Sequence, residues 1–231
     1  MSEFTDLPEL KAPPMSAALS AALESVKPVS LRRPKRDLVL FSLLSLPFFA
    51  AIVLIIGLRR DFSGLSPLWL GTVGLVWFTS FSAAAYLGFV PAKGHVAPRS
   101  RSIYQVVLAS SAVVIAIGLL AVQEVPGASM TYPSTMDNLV SHAGACARMG
   151  LGIGIFPGIL AILIMRRYVP VGRISVGLSL GAAGGSLGGL ALMLHCPISE
   201  SLHVGIVHGS CIVISAFFVA AAGQILLRER S

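Results

Sequence analysis

Charge is what this sequence has least of. Asp, Glu, Lys and Arg make up 12% of its 231 residues, against about 25% in a soluble domain, which excludes an ordinary water-surrounded globule. Cysteine is scarce too: the three present contain no CxxC pair, the commonest redox spacing. Residues 1–37 have no His or Cys, so the one sizeable polar segment holds no soft-metal cluster. Inside the apolar runs, only His208 and the end-placed Arg148 stand out as ionisable. A transport path or proton relay usually shows several charged groups facing it, so no enzyme is expected.

What is present is apolar, at 55% of residues. Six charge-free runs of 17 to 24 residues would reach roughly 25 to 36 Å as helix, against a hydrocarbon core of about 30 Å. The expectation is an all-α integral membrane protein, a six-helix transmembrane bundle over residues 38–231 with spans at 38–58, 67–90, 102–123, 145–165, 174–194 and 204–227. Residues 1–37 would be a cytoplasmic tail. The first run starts behind a basic cluster and ends at Arg59-Arg60, unlike a removable signal peptide with its small-residue cleavage site.

The net charge of +7 would suggest nucleic acid in a soluble protein, but here most Lys and Arg flank apolar runs, where they set orientation. Direct nucleic-acid contact is therefore not expected. With the N-terminus inside, inner segments hold 14 of the 17 positive residues. Arg59, Arg60 and Arg148 fall outside that set, with Asp61 partly offsetting the first two. The asymmetry predicts cytoplasmic termini for a multi-pass membrane protein. The longest outer loop, Glu124 to Gly144, lacks Lys and Arg and is expected over the outer mouth of the bundle.

In the tail, Met15, Ala18, Leu19, Ala22, Leu23 and Val26 fall on one helical stripe that ends at Pro28. Such a short amphipathic helix can lie on the inner leaflet or fill a partner's groove. Its lack of Lys and Arg between Met15 and Val26 favours a protein partner over lipid.

Gly150, Gly154 and Gly158 recur every four residues in the fourth span, as do Gly177, Gly181, Gly185 and Gly189 in the fifth. Small-residue stripes let helices approach closely in lipid, so these two spans are expected to pair antiparallel along them. Cys146 and Cys196 continue the stripes outward, which brings the thiols within reach for a disulfide or a shared metal. His142, His195, His203, His208 and Cys211 map to the same outer end. Thiolate and imidazole together suit zinc or copper. No spacing here is a recognised ligand motif, and a structural disulfide or inert packing accounts for the same residues, so all three readings stand open.

The fourth span with Cys146, Arg148 and a middle Pro157, the Arg166-Arg167 turn with Pro170, the Gly177-to-Gly189 helix and Leu194-His195-Cys196-Pro197 resemble the NrsF-type polytopic anti-sigma factors. Val26-Lys27-Pro28-Val29 and Leu31-Arg32-Arg33-Pro34 look like that family's juxtamembrane stretch, and the chain is also similar to CarR-like members. The resemblance implies a membrane-held negative regulator whose tail sequesters a sigma factor of the extracytoplasmic-function class. An envelope or membrane signal (redox, metal or light-derived) would release it, with a membrane-embedded signal partner as one source. Met15, Leu19, Leu23, Val26, Arg32 and Arg33 become the sigma-binding candidates. The two family cysteines match Cys146 and Cys196, and some relatives are linked to redox or metal stress; His208 and Cys211 stand outside the matched motifs. The alternative is a small transporter or a thiol or metal redox protein using the outer Cys and His residues.

Overall fold

Pro34 opens the first helix. A proline at the first helical position loses no hydrogen bond, because that N–H has no partner within the helix. In the computed structural model, which describes residues 16, 33–91, 99–120, 122, 125, 136–166 and 172–228 apart from the side chains of 136–142 and 227–228, α1 runs from Pro34 to Ile56. Lys35, Arg36 and Asp37 are thereby helical, and the helix starts four residues before the apolar run. It ends at Gly57, whose φ of 80° is one a side chain would resist. Ser66 caps α2 (Pro67–Phe89) by accepting from the Trp69 amide.

The remaining helices are α3 (Ser100–Leu120), α4 (Met136–Met165) and α5 (Arg173–His195), followed by α6, a π-helical turn His203–His208 that continues as α-helix Gly209–Arg228. The described residues are thus all-helical apart from connections, with six helices long and apolar enough to cross a membrane. α4 starts nine residues before the expected 145, so 136–144 is helix and not part of an extended outer loop. The described residues from 33 to 228 form one compact unit.

α5 is the axis of the bundle. Every residue from Ser175 to Met193 is buried, and the helix packs chiefly against α6, α4 and α2. Gly, Ala and Ser dominate it because neighbouring backbones lie where side chains would be. The glycine stripes do not meet as the spacing suggested. A Cβ on Gly177, Gly181 or Gly185 would strike α6 at Ala220, Ser215 and Ala216, or Cys211 and Ile212, and one on Gly189 would strike Trp77 of α2. The α4 contact falls instead to Gly184 and Gly188, set against the carbonyls of Gly154 and Gly150. On α4, Gly158 faces Val219 of α6. Four-residue spacing marks a small face, but α5 has two such faces and two close neighbours.

Polar groups join the apolar contacts. Ser179 Oγ donates to the Ala84 carbonyl at 2.7 Å and Ser175 Oγ to Ser100 Oγ at 3.0 Å, tying α5 to α2 and α3. Aromatic packing closes the other side, with Phe41 of α1 stacked at 5.8 Å on Phe81 of α2. Leu54, Leu68 and Leu120 are among the large apolar side chains left exposed, as a lipid-facing perimeter requires.

Candidate functional site

Three elements converge at the end of the bundle that the charge asymmetry assigns to the outside. α4 carries Cys146 near the start of its spanning part. α5 stops at Cys196, whose amide donates to the Leu192 carbonyl at 2.7 Å; Pro197 follows and cannot continue the helix. The chain then turns and enters α6 at His203.

Cys146 Sγ lies 3.7 Å from Cys196 Sγ, and Cys196 Sγ lies 3.6 Å from His203 Nε2. The three potential ligand atoms all fall within 4.8 Å of one another. Cys196 and His203 are buried and Cys146 is half-buried, so the thiol of Cys146 is the open side. All three cysteines are free thiols. The hydrogen bond with Cys146, and burial after it, push the Cys196 thiol above its ordinary range, while the Arg59 guanidinium pulls the other way.

His208 stands behind His203. Residues five apart in an α-helix point about 140° away from each other. The π turn His203–His208 closes hydrogen bonds five residues apart instead and brings the two rings edge to face at 5.3 Å. His208 is fully buried, and neither ring nitrogen has a hydrogen-bond partner.

The other expected ligands are turned elsewhere. His195 Nδ1 bonds the Gly57 carbonyl at 2.9 Å. Cys211 lies over Gly150, where a Cβ would come within 2.8 Å of its Sγ, and its thiol donates to the Val207 carbonyl at 3.6 Å. The side chain of His142 lies outside the described residues, as do Met15, Leu19, Leu23, Val26 and Arg32. Arg33 is exposed at the N-cap of α1.

One buried group was not anticipated. Arg59 pairs with Asp61 through Nε and, at 2.7 Å, through Nη2, which also donates to Ser199 Oγ at 2.8 Å. The Arg59 amide donates to the Leu194 carbonyl at 2.8 Å. Both charged side chains are buried, so the loop after α1 is fastened over the α5–α6 connection that holds Cys196. The Arg-Arg-Asp run was the signal in the sequence, but it does not say which arginine turns inward.

Residues 23–228 match the NrsF family, described as negative regulator of sigma F. The match spans all six helices, Cys146, Cys196, His203 and His208, and the tail from Leu23 onward, and the chain belongs to that family. No curated protein and no solved structure matches it.

Proposed function

We propose that this negative regulator holds a sigma factor of the extracytoplasmic-function class at the bacterial inner membrane through its N-terminal tail, and lets it go when the outer thiol cluster changes state. The family match from residue 23 to 228 carries the reading, since it takes in the end of the tail and the thiol cluster together under the description of a negative regulator of sigma F. Both termini are cytoplasmic in this arrangement. Of the outer Arg59-Arg60 pair, Arg59 is held in a buried ion pair with Asp61 and Arg60 is exposed; the orientation rests on the 14 positive residues of the other segments.

The tail meets its partner as a helix seated in a groove, with Leu19, Leu23 and Val26 as anchors. The sigma factor so held is kept from RNA polymerase, with no contact between this chain and DNA. The packing of α5 and α6, whose backbones touch at Gly181 and Gly185, is the route by which the thiol cluster acts on the rest of the bundle. A change at Cys196 or His203 acts on both helices at once.

Capture of soluble proteins on the detergent-solubilised full chain, compared with a version lacking residues 1–37, tests the reading. Recovery of a sigma factor only with the intact tail is the expected result. Equal recovery by both versions would overturn the assignment of the tail.

A further inference from the structure

The outer cluster has donors that a simple thiol pair does not need. Two thiols, an imidazole nitrogen 3.6 Å from one of them and a second imidazole behind it come from α4, the end of α5 and the π turn of α6. We propose that Cys146, Cys196, His203 and His208 bind one thiophilic divalent cation of the zinc and cadmium class.

Distances support this first. Zinc bonds of about 2.3 Å to sulfur and about 2.0–2.1 Å to nitrogen, in tetrahedral arrangement, put two sulfurs about 3.8 Å apart and a sulfur and a nitrogen about 3.6 Å apart. The edges between Cys146 and Cys196, 3.7 Å, and between Cys196 and His203, 3.6 Å, are already of that size. A disulfide of about 2.05 Å is what the same two sulfurs form when oxidised, and it would give neither histidine anything to do.

His208 supplies the second, independent observation. A fully buried imidazole with both nitrogens unpartnered is costly to hold, and its ring packs edge to face against that of His203. The ring lies outside the 4.8 Å group formed by the other three ligand atoms, so a movement of the π turn toward the cation has to accompany ligation by His208 and complete the four ligands. The charge balances as well, because two thiolates and two neutral imidazoles around a divalent ion sum to zero. A neutral cluster suits a site in apolar surroundings, where an uncompensated charge would be expensive. Binding releases to solvent, on the side of half-buried Cys146, whatever protons the two thiols still hold. The ion then ties α4, the α5 terminus and α6 together.

The proposal does not depend on the tail or on any sigma factor. It is tested on the reduced, detergent-purified full chain titrated with Co²⁺, whose absorption reports tetrahedral geometry and thiolate ligation, followed by displacement with Zn²⁺. One Co²⁺ per chain with a thiolate charge-transfer band is expected. His203→Ala should weaken uptake by at least about 10-fold, His203→Cys should restore it with a third thiolate, and Cys211→Ser should leave it unchanged. His208→Ala should keep the thiolate band and alter the visible bands. Thermal unfolding of the metal-free variants separates lost ligation from lost folding. No Co²⁺ uptake by the reduced chain, uptake unchanged in His203→Ala, or loss in a folded Cys211→Ser variant would each overturn the site.

Discussion

Gly154 of α4 and Gly184 of α5 face each other so closely that a methyl group on Gly184 would overlap the Gly154 carbonyl oxygen. Backbone cannot retreat as a flexible side chain can, so Gly184→Ala must push the two helices apart. Overpacking of this kind costs about 1–3 kcal/mol. Gly152→Ala is the control: on the same α4 helix, a Cβ there meets nothing within 4 Å, and alanine's helix preference favours it by up to about 1 kcal/mol. Thermal unfolding in detergent should show a clear fall for the first variant and none for the second.

The buried Arg59–Asp61 pair gives a second test. Asp61→Leu leaves the Arg59 guanidinium buried with Ser199 as its remaining side-chain partner, and breaking one half of a buried ion pair costs about 3–5 kcal/mol. Arg59→Met combined with Asp61→Leu removes both charges and should cost much less than either single change. A double-mutant cycle on the unfolding midpoint reads the difference. Additive effects would mean that the two charges are not coupled.

Six spans were legible because lipid leaves a plain signature: runs without charge, of a length that hydrocarbon thickness dictates. Helix ends were less so, since Pro34 and Met136 start helices among polar residues, where hydropathy has no say. The meeting of Cys146 and Cys196 was expected from the glycine stripes, yet the stripes themselves partner differently. Gly177, Gly181 and Gly185 face α6, and Gly184 and Gly188 face α4, a choice periodicity cannot make for a helix buried on all sides. The π turn was invisible as well. No residue type specifies it, and without it His203 and His208 would point apart.

The thiols should respond to oxidant as a pair. Cys146 and Cys196 are 3.7 Å apart, whereas Cys211 is buried against Gly150 with its thiol turned to the Val207 carbonyl. Closing the bond transfers two electrons and releases two protons to an added oxidant such as a peroxide. Mass spectrometry of the oxidised chain should find a Cys146–Cys196 bridge, with Cys211 still reduced. In cells, Cys146→Ser or Cys196→Ser should blunt induction of the regulon without preventing membrane insertion. An unchanged response would remove both thiols from the signal.

The tail can be divided by where the family match begins. Residues 1–22 precede it, while Leu23, Val26, Arg32 and Arg33 lie inside it. If the apolar stripe is the contact, an aspartate at position 23 or 26 places a charge in the partner's groove, and loss of one central anchor typically costs at least about 1–2 kcal/mol, roughly 5- to 30-fold in affinity. Leu23→Asp and Val26→Asp should therefore release the sigma factor in the capture assay and raise reporter activity, with the bundle still folded. Deleting 1–22 should weaken retention less than deleting 1–31, because the second deletion also removes the anchors inside the match. Full retention after removal of 1–31 would move the contact out of the tail.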